Sequence, residues 1–283
     1  MSTERIRGFV EITRPMNAIA SGVLTFIGAF VAVGFSASLS TALHVGAAVC
    51  ATVLAVGAGN TINDYFDREI DRINQPDRPI PRGAVSPREA LWGSALLFAA
   101  AIVLALTLPV LAIAIAVVNL AALVAYTELF KGLPGVGNFV VAYLGGSTLL
   151  FGGAAVGTIN ATIVVLFALA ALSTVAREII KDVEDIVGDR EKGLNTLPIA
   201  IGEHPATVAA IGFIVITLLI SPIPYLLGSV GLAYLSVVII ADLVFCYAAI
   251  ESFTDPAASQ SHLKYAMFIG ILAFVVGRVA TLV

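Results

Sequence analysis

Charge is what this 283-residue chain has least of: Asp, Glu, Lys and Arg together make up 12% of it, about half the share found in a water-soluble domain. Cysteine is nearly absent. Cys50 and Cys246 both lie inside apolar runs, which argues against a disulfide framework or a metal site and reads as packing. Aromatic residues are 8% of the chain, so Phe66, Tyr126, Tyr143 and Phe151 are the few rings available for contact with a cation. Of three histidines, His44 falls at the outer end of an apolar run, and His204 and His262 read as loop residues without partners. None is placed as a base. The N-terminus, MSTERIRGFVEITRP, is charged and has no apolar core or small-residue cleavage pattern of a signal peptide.

What is present instead is hydrophobic length. The chain is 59% hydrophobic, with a mean hydropathy of +1.00. Uninterrupted apolar runs of about 20 residues, enough for a helix to cross a bilayer core, recur along it. They are continuous rather than alternating, which excludes a transmembrane barrel. The fold class is therefore all-α: a polytopic membrane protein with nine transmembrane helices, forming a single transmembrane domain over 1–283. The spans fall roughly at 17–35, 41–61, 90–107, 109–127, 136–156, 161–180, 206–221, 224–249 and 265–283. Two boundaries rest on proline, at Pro109 and at Pro222 with Pro224, where a helix can end or merely kink.

Charge placement resolves those two sites as hairpins. With both broken, fourteen of the fifteen basic residues fall on one side together with the N-terminus, and only Arg278 disobeys. Lysine and arginine prefer cytoplasmic loops, so this side is the cytoplasmic one of the cell membrane. Every Asp and Glu except Asp242 lies there too. Asp242, inside the eighth span, is expected to face a cavity or to pair across a helix contact.

The acidic residues carry a repeat. Asp64, Asp67 and Asp71 are matched by Asp182, Asp185 and Asp189, at a constant offset of 118. Each set is spaced by three and four residues, which places it on one stripe of a helix, with Asn60 on the first stripe one turn earlier. The repeated spacing suggests an internal duplication of a four-helix unit. Solvated helix ends are the plainer reading of such clusters. However, carboxylates at helix C-termini are disfavoured by the helix dipole, and the cost is accepted twice. That implies a cation, and oxygen-only ligands suit Mg²⁺ shared with a phosphate. Arg14, Arg78, Lys131, Lys181 and Arg177 stand near the motifs and would clamp a diphosphate. Arg14 and Arg78 are equally candidates for a second anion site, while Arg68, Arg88 and Lys264 read as topology and headgroup contacts.

At this point the motifs resemble a family. NDYFDREID, DVEDIVGD followed by REKG, TRPMN, RPIPRG, YTELFKGLPGVGN and AREIIKDVED together resemble the UbiA-type intramembrane prenyltransferases, over nearly the whole chain. Arg82 departs from the pattern, since relatives carry a small polar residue before the glycine. The resemblance implies helices around a central cavity, with the two Asp motifs facing each other at its cytoplasmic end and Mg²⁺ bridging them to diphosphate. It implies catalytic roles for Asp64, Asp67, Asp71, Asp182, Asp185 and Asp189, with Asp64, Asp67, Asp185 and Asp189 on the metal. Candidate substrate-binding residues are Arg14, Asn17, Asn60, Asn63, Arg78, Tyr126, Lys131, Asn138 and Lys181.

The archaeal branch of the family is the most similar. Its activity implies Mg²⁺-dependent transfer of a geranylgeranyl group from geranylgeranyl diphosphate to a lipid-phosphate acceptor, geranylgeranylglyceryl phosphate. The expected partners are these two substrates and membrane lipids, with no nucleic acid and no obligate protein partner. An aromatic or chlorin acceptor is an alternative the same motifs would serve. A cation-coupled transporter is a more distant one, since its carboxylates belong near the bilayer midplane.

Overall fold

A computed structural model describes residues 3–34, 38–126, 133–191 and 193–281. In chain order the helices are α1 (Thr3–Ile12), α2 (Pro15–Val33), α3 (Leu39–Phe66), α4 (Arg68–Asn74), α5 (Pro87–Ala105), α6 (Val110–Ala125) and α7 (Val136–Ala155). They are followed by α8 (Ala161–Glu184), α9 (Ile186–Glu191), α10 (Leu197–Ile201), α11 (Glu203–Ile220), α12 (Ile223–Leu226), α13 (Leu232–Glu251) and α14 (Pro256–Val279). No strand occurs among the described residues. Eight of these helical stretches are long and apolar enough to cross a membrane, and Val110–Ala125 is apolar but shorter. Helices break at both proline sites, after Ala105 and after Ile220.

Local signals explain the boundaries. The Ser86 hydroxyl accepts from the Glu89 amide, and the Glu89 carboxylate accepts from the Ser86 amide; this reciprocal cap starts α5, with Pro87 at its first position. Asn160 caps α8 by accepting from the Ile163 amide at 3.0 Å. Asp255 does the same for α14 at 2.9 Å from Ala258. That cap starts the last helix at Pro256 rather than near 265, because its first turns are polar yet helical.

The chain divides into two compact units. In the first (Met1–Phe30, Ala37–Val117 and Phe151–Thr158), α3 lies along α5, and the Ser94 hydroxyl donates to the Ala58 carbonyl at 3.0 Å. Small residues make close approach possible, as is usual between helices in lipid. Ala48, Ala51, Ala112, Ala154 and Ala155 are buried together with Leu108 and Phe151. Phe151 is thus a core residue. A methyl group on Gly152 would overlap the Thr25 carbonyl. In the second unit, α8 packs on α11 and α14, and α13 on α14, around Ile179, Ile180, Ile214, Phe245 and Leu263. Ser221, at the end of α11, donates to Asp242 of α13 at 2.8 Å, while the Tyr234 hydroxyl donates to the Ser221 carbonyl. Asp242 therefore pairs across a helix contact.

Two readings need correction here. Cys50 and Cys246 are exposed on the helix surfaces rather than packed inside. An apolar run does not say which way a residue faces, since lipid accepts a thiol as readily as a core does. His204 and His262 lie on α11 and α14, and both have partners. The His204 ring stands 5.6 Å from that of Phe253, and His262 Nδ1 is 2.6 Å from Glu251 Oε2.

Candidate active site

The first motif begins in the last turn of α3. Asp64 and Asp71 are buried, at 4% and 5% exposure, so their charges require partners inside the protein. Arginines supply them. Arg14 Nη2 donates to Asp64 Oδ1 at 2.6 Å, and Arg78 Nη1 donates to Asp71 Oδ2 at 2.6 Å while lying 3.5 Å from Asp64 Oδ1. One guanidinium thus bridges two carboxylates seven residues apart, which shows that they converge.

Both arginines are delivered by stiff segments. Arg14 precedes Pro15, which denies it the ordinary helical region, and it takes φ 48°. That left-handed turn is held by the Arg14 amide on the Glu11 carbonyl at 3.0 Å. It also aims the Thr13 carbonyl at Asn60, whose amide donates to it at 2.9 Å. Arg78 opens the RPIPRG segment, which is wound on itself by bonds from the Arg82 amide to Arg78 and from the Val85 amide to Pro79, and which turns at Gly83 (φ 79°). Ile80 and Val85 of this segment pack with Ile12 and Ala90. Arg82 makes a two-bond clamp on Glu11 at 2.8 and 2.9 Å. The Arg82 hydrogen bond holds the Glu11 carboxyl below its ordinary range. Arg68 lies over the Tyr65 ring at 4.7 Å, and Arg72 pairs with Glu69.

In the second motif Asp182 accepts from Asn138 Nδ2 at 2.8 Å, and Lys181 Nζ stands 3.4 Å from Asp185 Oδ2. Asp185 is exposed; Asp182 and Asp189 are half-buried. One turn earlier, Arg177 donates to Glu178 at 2.7 Å and to Gln260 of α14 at 2.9 Å. Asn17 is exposed, and Asn63 and Tyr126 are half-buried. Lys131 lies outside the described residues.

The structure alters the single-stripe reading of both triads. α3 ends at Phe66 and α8 at Glu184, so each helix is interrupted at the middle aspartate. Asp67 sits at φ −81°, ψ 0° and Asp185 at φ −86°, ψ 1°, the same interruption at the same place in both motifs. Amide bonds from Asp67 to Asn63 and from Asp71 to Asp67 continue across it at 2.9 Å, as do their counterparts in the second motif. The break also moves Asp71 and Asp189 into the first turns of α4 and α9, where a helix dipole favours a carboxylate. The electrostatic cost inferred for whole triads therefore falls on Asp64 and Asp182.

Among the described residues, no group of three or more His, Cys, Asp or Glu side chains forms a ready cage for a metal. The donor chemistry still fits Mg²⁺. All donors are oxygens, and that ion takes one or two carboxylates and completes its shell with water and phosphate oxygens. Glu11, Thr13, Glu178 and Gln260 were not singled out from the sequence. For Glu178 a signal existed, since it lies 118 residues after Asn60 on the matching stripe.

Helices long and apolar enough to cross a membrane thus carry two acid motifs, each with a guanidinium or ammonium group beside its carboxylates. The profile of the UbiA prenyltransferase family matches residues 21–272, and the chain belongs to this family of prenyltransferases. It is 63% identical to the digeranylgeranylglyceryl phosphate synthase of Natronomonas pharaonis, over 98% of this chain and 99% of the other. A solved structure of a digeranylgeranylglyceryl phosphate synthase superposes with a TM-score of 0.85 at 35% identity, covering 98% of this chain and 100% of the other. A UbiA homolog from Archaeoglobus fulgidus, solved bound to GPP and Mg²⁺, shares the fold at a TM-score of 0.72 and 17% identity, covering 96% and 99%.

Proposed function

We propose that the chain transfers a geranylgeranyl group from geranylgeranyl diphosphate to the free hydroxyl of geranylgeranylglyceryl phosphate, forming the second ether bond of an archaeal membrane lipid. The observation that carries the choice of acceptor is the 63% identity, along nearly the full length of both chains, to a synthase of that name.

In this reaction the bond from the allylic carbon to diphosphate breaks and a bond to the glyceryl oxygen forms. The hydroxyl proton leaves to an aspartate or to the departing diphosphate. Negative charge grows on the leaving group, so cations fixed beside it favour the transition state over the bound substrate. Arg14 and Arg78 are fixed in this way, by their own carboxylates. Asp64, Asp67, Asp185 and Asp189 would hold Mg²⁺, which when bound neutralises diphosphate oxygens. Lys181 and Asn138 keep the second motif oriented, through Asp185 and Asp182. The apolar helix surfaces accommodate the C20 chains and exclude the water that would quench an allyl cation. The basic residues around the motifs and the N-terminus support a cytoplasmic position for both.

The test is direct: purified protein is incubated with geranylgeranyl diphosphate, Mg²⁺ and either geranylgeranylglyceryl phosphate or a hydroxybenzoate. Alkylation of the glyceryl lipid alone supports the reading, and alkylation of the aromatic acid alone overturns it.

A further inference from the structure

The amphipathic character of α1 is not used by the site. At about 100° per residue, Gly8 and Ile12 share one face of this helix, and Ile6 and Val10 share the opposite one. The first face is buried: Ile12 is 1% exposed and packs on Ile80, Val85 and Ala90, while Gly8 lies against Ala84 and Val85. The second face is bare, with Ile6 and Val10 at 53% and 54% exposure. Two polar pairs attach the helix to the rest of its unit: Arg5 to Glu89 at the start of α5, and Glu11 to Arg82. α1 therefore has protein on one side and two branched apolar side chains pointing away from it.

Those side chains do not stand alone. On α2, directly after the Arg14 turn, Met16, Ile19, Val23 and Phe26 are exposed at intervals of three and four residues, the lipid-facing stripe of a membrane-crossing helix. Ile6 and Val10 precede this stripe by one turn of chain and are, like it, apolar and exposed. Trp92, 74% exposed, lies on α5 a turn and a half from the Ser86 cap, near the end where α1 is attached. Tryptophan collects at the boundary between hydrocarbon and water, so it marks the level of that boundary beside α1.

We propose that α1 is an interfacial helix, seated in the lipid boundary on the motif side with Ile6 and Val10 inserted among the acyl chains. A helix held this way fixes the segment that follows it, from which Thr13 receives Asn60 and Arg14 reaches Asp64. The occupant of the bare face is lipid. The helix that follows directly, α2, is itself long and apolar enough to cross a membrane and bares an apolar stripe, and two aliphatic side chains are too small a patch for a stable protein interface.

The experiment uses the full chain in proteoliposomes. With Trp92→Phe removing the single native tryptophan, Ile6→Trp, Val10→Trp and Glu4→Trp are compared, the last lying toward the charged flank of α1. Tryptophan at 6 or 10 is expected to emit at shorter wavelength than at 4 and to lose at least half its intensity when the lipids carry brominated acyl chains; tryptophan at 4 is not. Emission at 6 and 10 equal to that at 4, without quenching, overturns the proposal by placing the face in water. Blue-shifted emission that bromolipid does not quench, and that reverts on dilution with lipid, also overturns it by assigning the face to a second copy of the chain.

Discussion

Arg14 reaches Asp64 across fifty residues of sequence, donating to a carboxylate that is only 4% exposed from a backbone position that side chains rarely adopt. The left-handed turn costs about 1–2 kcal/mol for a residue with a Cβ. It is maintained because it places a guanidinium on a buried charge.

This separates two roles that one substitution can distinguish. Arg14→Ala loses the guanidinium and retains the strained backbone, whereas Arg14→Gly loses the guanidinium and relieves the strain. Both variants are expected to lose about 10- to 100-fold in kcat/KM, corresponding to about 1.5–3 kcal/mol for a charge-assisted bond. Arg14→Gly should nonetheless unfold about 1 kcal/mol later than Arg14→Ala, as read by thermal denaturation in detergent. Equal activity of wild type and Arg14→Gly would show that the guanidinium is there for packing alone.

Removing carboxylate charge tests the metal assignment. Asp64→Asn and Asp185→Asn should each lower transfer by about 100-fold or more. Activity in the remaining fraction should require a higher Mg²⁺ concentration, measured by titrating the ion in the transfer assay. Expression and thermal stability should be retained in Asp185→Asn, since that side chain is half-exposed. Unchanged turnover in both variants removes the assignment.

Gly152 is a packing prediction independent of chemistry. A methyl group there meets the backbone of Thr25, which cannot yield as a side chain could. Gly152→Ala is expected to destabilise by about 1–3 kcal/mol, the range for forcing volume into a packed site. Gly270→Ala, where an added methyl finds nothing within 4 Å, should leave the melting temperature unchanged or slightly raised.

The Glu11–Arg82 clamp gives a pH dependence of defined sign. The Arg82 hydrogen bond lowers the Glu11 pKa, so the clamp stabilises above the unfolded carboxyl value of about 4.3 and is lost as pH falls through the lower folded value. The melting temperature of wild type should exceed that of Arg82→Gln by a small constant margin near pH 7. That margin should shrink below about pH 4. Both side chains are substantially exposed, at 43% and 27%, which limits the contribution to about 0.2–1 kcal/mol. A margin that widens in acid would contradict the assignment.

Much of the architecture was legible because the relevant signals are local. Runs such as 41–61 and 161–180 announce membrane helices through composition, and a cap such as Ser86 with Glu89 marks its own helix start. Polar helical turns were less legible: Ala257–Lys264 carries too little hydrophobicity to read as part of a span, yet it belongs to α14. The interruption at Asp67 and Asp185 was also hidden, because spacing by three and four residues suits an unbroken helix equally well.

The sequence by itself determined that this chain crosses a membrane many times and carries two matched acid motifs with basic residues near them in the chain, since hydropathy, spacing and charge are properties of short segments. Only the tertiary structure decided which cation neutralises which carboxylate. Arg14 and Arg78 reach Asp64 and Asp71 because a left-handed turn and a proline-stiffened loop are packed on Ile12, Ile80 and Val85, and Asn138 reaches Asp182 from a helix 44 residues away. Such pairings depend on how distant segments pack, and a guanidinium or amide on the page does not name the carboxylate it will meet.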